Sequence, residues 1–191
     1  LLTLFQQTGR AQDHPPTTKV LVKAFKITGT SVIDGAELES LVAPHVGRDM
    51  GLAELEEVAG LVTAEFGDRG YTLARAYIPA QDIKDGIVEI VVVEGKVGEI
   101  IVKGNKNYST DFIKRGFTPV VEQSVIKHST LEKSLLLLNE YPDLKLNATL
   151  EAGKEPGTTD IVATVEDRLP VHLTVDYDNF GTESVSKNRF G

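Results

Sequence analysis

An α+β fold built from two tandem βααββ units is what the sequence predicts. Three features carry that prediction. Segments of strand and helix character follow in the order strand, helix, helix, strand, strand between residues 20 and 95. The same order returns between residues 96 and 168, with Gly104 of "EIIVKGN" standing where Gly29 stands in "AFKITGT". Last, Leu144, Leu146, Ala148 and Leu150 alternate with Lys145, Asn147 and Thr149, the period-two signature of a strand with one buried face. Two copies are too few for a solenoid, so residues 20–95 and 96–168 are expected as two small domains.

Taken in order, "VLVKAFKITG" (20–29) is rich in β-branched residues, closes on Gly and predicts a strand. "DGAELESLVAPHVG" (34–47) places Leu38, Leu41 and Val42 at helical spacing before Pro44 and Gly47 end the helix. In "LAELEEVAGLVTAEFGDRG" (52–70), Leu52, Leu55, Ala59, Val62 and Phe66 form one apolar face, with Gly67 and Gly70 as the stop. A hairpin follows: "YTLARAYIP" (71–79), the connection "AQDIKDG" (80–86), and "IVEIVVVEG" (87–95). Pro79 cannot donate to a ladder and belongs at a strand end or edge, whereas Val88 to Val93, apolar apart from Glu89, suits a central strand.

In the second copy, a helix is expected from about Ser109 to Phe117 and another over "STLEKSLLLLNEY" (129–141), the latter with a partial Ser-Thr cap and a stop at Pro142. "LKLNATLEAG" (144–153) and "TTDIVATVED" (158–167) then form a hairpin around "KEPGT". The join at Glu94 to Val97 leaves almost no linker and is expected to restrict relative motion of the copies. Residues 1–19 read as a helix end or leader followed by a tether stiffened by Pro15 and Pro16. The chain does not start with Met, which suggests a processing boundary at residue 1. In residues 169–191, Val171, Leu173, Val175 and Tyr177 oppose His172, Thr174, Asp176 and Asp178, the dyad pattern of a membrane β-barrel strand that looks cut short.

Composition narrows the function classes. With 20 Lys+Arg against 28 Asp+Glu, the net charge of −8 opposes binding to nucleic acid or to an anionic membrane surface. No Cys is present, so no disulfide, thiolate metal site or cysteine nucleophile exists. His14, His45, His128 and His172 share no ligand spacing. "DYDNFG" (176–181) fails as a calcium loop because Phe180 takes a ligand position and Lys187 stands where the closing Glu belongs. Glu56-Glu57 and the Asp82, Asp85 pair read as solvated charge, and Gly67, Gly70 and Gly86 as punctuation, not a phosphate cradle. No catalytic residues, metal or cofactor are expected. Asn107-Tyr-Ser109 and Asn147-Ala-Thr149 match the glycosylation triplet only as chance matches.

The stretch "AYIPAQDIKDGIVEIVVVEGKVGEIIVKGN" resembles the signature of POTRA (polypeptide-transport-associated) domains in haemolysin-activator-type TpsB transporters of two-partner secretion, within the Omp85 superfamily. The matching hairpin residues are Tyr77, Pro79, Gln81, Gly86, Glu94 and Gly95. "DYDNFGTESVSKNRFG" is similar to the opening of the family's barrel through Asp178, Asn179 and Gly181, although Lys187-Asn188 stand where Thr-Gly is usual before the Arg. The resemblance implies three-stranded mixed sheets packed on two helices, with the second strand at an edge and the third in the middle, followed by the first strand of a truncated barrel. It also implies a place on the periplasmic side of the bacterial outer membrane.

As partners it implies an unfolded secreted exoprotein (TpsA) and the chain's own barrel, with the chain itself monomeric. Docking by β-augmentation is expected at the edge formed by Leu144, Lys145, Leu146, Asn147, Ala148, Thr149 and Leu150, with Asn147 offering a backbone donor. Gln81 and Asp82 are expected to stabilise the hairpin connection through bonds to backbone. The competing readings are a barrel-assembly factor, a periplasmic scaffold or adhesion protein, and a small periplasmic enzyme.

Overall fold

A computed structural model describes residues 19–172, 175, 177–178 and 189–190. The first expected strand is divided. β1 (Val20–Leu21) pairs antiparallel with β3 (Asp49–Met50), and β2 (Ala24–Thr28) joins the main sheet. The break falls at Val22, which is wholly buried and exchanges bonds with the loop before β3: its amide donates to the Arg48 carbonyl and its carbonyl accepts from the Gly47 amide. A continuous strand would leave those groups without partners.

α1 (Gly35–Val42) is capped by the Asp34 carboxylate and buries Leu38 and Val42, while Leu41 points outward. A 3-10 turn over Ala43–His45 leads to β3. α2 (Leu52–Asp68) has Glu54 reaching back to the Gly51 amide. It buries Leu55, Val58, Ala59, Val62 and Phe66, and Leu52 at its exposed first position is 58% accessible. Its end is a Schellman turn: Gly70 has φ +89°, its amide donates to Gly67, and the Tyr71 amide donates to Phe66.

β4 is only Arg75–Tyr77, since Tyr71–Ala74 form a turn closed by the Ala74 amide on the Tyr71 carbonyl. β5 (Ile87–Val93) is the central strand of the order β2-β5-β4, parallel to β2 and antiparallel to β4. It buries Val88, Ile90 and Val92, with the opposite face half-covered at Val91 and Val93.

The second sheet repeats this plan. β6 (Lys96–Lys103) starts two residues after β5. The expected first helix forms as α3 (Thr110–Gly116), capped by Ser109, and a second short helix that the sequence reading did not foresee, α4 (Thr118–Glu122), follows it where Phe117 leaves helical geometry and Pro119 opens a new first turn. α5 (His128–Asn139) begins one residue before Ser129. Its N-cap is therefore Lys127, without a side-chain bond, and Ser129-Thr130 do not cap. β7 (Leu144–Ala152) and β8 (Thr158–Asp167) complete the order β6-β8-β7, with β8 parallel to β6 and antiparallel to β7.

Each sheet packs its own core. One gathers Phe25, Leu38, Val58, Phe66 and Ile90, the other Ile113, Phe117, Ile126, Leu144 and Ile161. Both sheets are mixed, three-stranded and backed by helices, as the POTRA resemblance implies.

The expected strand over Val171–Tyr177 is not formed at residues 171, 172 and 175, and Leu169, Val171 and Val175 are exposed. Alternation does not make a strand without a ladder partner. β9 (Tyr177–Asp178) pairs antiparallel with β10 (Arg189–Phe190) over two residues. Asp178 of the barrel-start motif lies in β9, while Asn179 and Gly181 lie outside the described residues, as do residues 1–18.

Candidate functional site: the outer edge of the second sheet

β7 is the outer strand of its sheet, and its backbone alternates between the β8 ladder and the open side. The phase follows from Leu146, whose amide donates to Asn139 Oδ1 at 2.8 Å and whose carbonyl accepts from Asn139 Nδ2 at 2.9 Å. Leu146 thus points its backbone outward, and so do Leu144, Ala148, Leu150 and Ala152. Asn147, Lys145 and Thr149 bond inward to β8. The expectation that Asn147 offers a donor to the edge is therefore corrected by one residue of register.

The outward groups are not equally free. The Leu144 amide donates to the Tyr141 carbonyl at 3.1 Å, and Asn139 occupies Leu146. Among the described residues, the amides of Ala148, Leu150 and Ala152 have no partner. The seven-residue edge expected from Leu144 to Leu150 thus contracts to an open stretch from Ala148 to Ala152. Side chains follow the same gradient. Leu144 and Leu146 are buried, Ala148 is half-buried and Leu150 is 40% exposed, because the helical layer ends before this part of the strand. Lys145, Asn147, Thr149 and Glu151 are exposed on the other face. At the closed end, Phe112, Pro119, Leu137, Tyr141 and Pro142 line a groove of about 670 Å³.

The corresponding edge of the first sheet is shut. β4 is three residues long, and the Ala76 amide donates to Thr63 Oγ1 of α2 at 2.9 Å. Beyond Tyr77, which is exposed, Pro79 stands where the ladder would continue. Gln81 replaces it, donating to the Glu89 carbonyl at 2.8 Å and accepting from the Glu89 amide at 2.9 Å. The expected Gln81 bonds to backbone are thus present, while Asp82 has no side-chain bond among the described residues. Gly86, at φ +75°, accepts from the Lys23 amide and lies so close to the Leu21 carbonyl that a Cβ would sit 2.5 Å from it. Gly95, at φ +69°, passes over the Leu73 side chain.

Glu94 is the charged member of the hairpin motif, 3% exposed at the end of β5. Burial pushes its carboxyl up, but bonds from the Ser31 amide and hydroxyl and from the Val32 amide outweigh this and hold it below the usual carboxylate value. Asp167, at the end of β8, has the same task. Desolvation raises it, and the amides of Tyr108, Asn107 and Lys106 bring it below its ordinary value. Each acid ties down the loop between the first strand and first helix of its unit. Sequence reading missed Asn139 and Thr63; an Asn on the last turn of a helix just before an edge strand is the available signal.

This geometry, with the second strand at the edge and the third in the centre of each sheet, is the one that the POTRA resemblance implies. Residues 20–95 match the family model described as POTRA domain, ShlB-type. Over 154 residues the chain is 29% identical to the heme/hemopexin transporter protein HuxB of Haemophilus influenzae, covering 80% of this chain and 27% of that protein. Over 163 residues it is 26% identical to the outer membrane transporter CdiB of Escherichia coli, covering 85% of this chain and 27% of CdiB. The chain thus spans about a quarter of the length of these curated relatives. In fold it is similar to the structure of CdiB from Escherichia coli, with a TM-score of 0.69 at 22% identity, covering 98% of this chain and 34% of that one. It is also similar to POTRA1-3 of the periplasmic domain of Omp85 from Anabaena, with a TM-score of 0.67 at 21% identity, covering 78% and 66%. The resemblance to POTRA regions of TpsB-type outer-membrane transporters holds.

Proposed function

We propose that this chain is the periplasmic recognition module of an outer-membrane protein-secretion transporter. It captures an unfolded secreted exoprotein by β-augmentation and hands it to the chain's own barrel. The observation that carries the reading is the run of unpartnered outward amides at Ala148, Leu150 and Ala152 on an edge strand whose neighbours are exposed. Backbone pairing accepts varied sequences, as an unfolded client requires, and the exposed Leu150 adds an apolar contact to the guest residue beside it. The similarity to a heme/hemopexin transporter protein and to an outer membrane transporter supports the same role. The residues named in the hairpin motif stabilise the fold in this reading and do not touch the client, and the module performs no catalysis. Asp178, Asn179 and Gly181 would open the barrel.

A barrel-assembly role has one specific observation in its favour, the fold similarity to the Omp85 POTRA domains. The test is titration of the chain with the N-terminal secretion segment of the exoprotein, beside a Leu150→Pro variant that removes an outward donor without touching the β8 ladder. Micromolar or tighter binding, weakened at least about tenfold by Leu150→Pro, supports the proposal. Binding unchanged in that variant moves the site off this edge. Binding only to unfolded outer-membrane precursors favours the assembly role.

A further inference from the structure

The edge of β7 is closed at one end by a device that both units share. Ala76 faces Val92 across its ladder as Leu146 faces Val165 across the second. In each unit the second long helix aims one polar side chain at the outward backbone of that residue: Thr63 from α2 and Asn139 from α5. Thr63 supplies a single acceptor. Asn139 supplies an acceptor and a donor, both within 2.9 Å, and is itself steadied by a third bond from Nδ2 to the Leu135 carbonyl at 2.9 Å. Its carboxamide therefore makes the two bonds that one residue of an added strand would make.

An incoming strand and the Asn139 side chain cannot occupy Leu146 together. We infer that Asn139 is a register stop, so that a docked strand of the exoprotein pairs with Ala148, Leu150 and Ala152 and ends before Leu146. This rests on the reading of β7 as the docking edge. It limits the paired part of the client to roughly five residues, with alternate side chains falling beside Leu150 on one face and beside Thr149 and Glu151 on the other. It also keeps the client away from Tyr141 and Pro142 at the closed end. Short pairing suits a handover, because a client held by few bonds leaves quickly.

The experiment is residue-resolved amide exchange on the whole chain with a capped peptide of alternating Thr and Val carrying a Lys at each end. The same peptide methylated at alternate backbone nitrogens serves as the control that cannot pair. The expected footprint is new protection at Ala148, Leu150 and Ala152, with Leu146 exchanging at its unbound rate. In Asn139→Ala, protection extends to Leu146 and binding tightens on the order of tenfold, as two more backbone bonds allow. Should Asn139→Ala fold poorly, the native footprint still decides. Protection of Leu146 in the native chain, or an unchanged footprint in Asn139→Ala, overturns the register stop and leaves edge docking standing. Peptide binding without protection anywhere in β7, or no binding at millimolar peptide, overturns both.

Discussion

Gly29 and Gly104 turn left-handed, at φ +83° and +89°, beneath the carbonyls of Val92 and Val165, where a Cβ would stand 2.3 and 2.5 Å from the oxygen. Their matching places in the sequence reflect this shared close approach of two backbones, which only glycine permits. Gly104→Ala is expected to cost about 3 kcal/mol, read from the urea midpoint. Glu94 adds a pH dependence. Its folded carboxyl lies below the ordinary 4.5, so its contribution is complete above the unfolded value and disappears as the pH falls through the lower folded value. Asp167 acts with the same sign from an ordinary 3.8. Stability should begin to drop as the pH falls to the ordinary values of these carboxyls and continue to drop through their lower folded values. Glu94→Gln should cost about 2–3 kcal/mol at neutral pH and flatten part of that slope in a series of urea titrations.

At the scale of elements, most helices and strands were legible because their periodicities were clean, and their ends were legible where a special residue marked them. Gly70 stops α2 by a backbone geometry the sequence announces, whereas the break between α3 and α4 depends on how Phe117 packs into the core. Gln81 carries the hairpin across Pro79, so Gln81→Ala, which frees both backbone groups of Glu89, should cost about 1–2 kcal/mol in thermal unfolding. Register decides the behaviour of β7. Asn147→Pro, which removes an inward ladder donor, should cost about 2–3 kcal/mol, while Leu150→Pro should leave the melting temperature nearly unchanged. Equal losses in the two variants would contradict the phase read from Asn139.

Across the whole molecule, the units meet through backbone as well as side chains. The His128 amide donates to the Gly70 carbonyl at 2.9 Å, and the Ile126 amide to the Gly95 carbonyl at 3.3 Å. Lys127 Nζ lies 5.7 Å from the centre of the Tyr71 ring, and Leu73 of the first unit packs against the second core. Such a joint couples the units, so calorimetry should record one unfolding transition. Leu73→Ala, removing a half-buried side chain from the joint, should lower it by about 1–2 kcal/mol and separate it into two. Two transitions in the native chain would show the joint to be weak.

The sequence by itself determined the α+β class, the doubled unit, the kinship with POTRA domains and the candidate edge strand. Each of these rests on local period, turn residues or motif, which the chain carries in its order. Tertiary structure decided which half of that edge is open. The answer depends on Asn139 reaching from the end of α5 to Leu146 and on Leu144 folding back to Tyr141, contacts across a turn that no period encodes. It also decided the phase of β7. In an edge strand, the outward direction of each amide is defined only once the partner strand has taken its register, and a shift of one residue exchanges every donor.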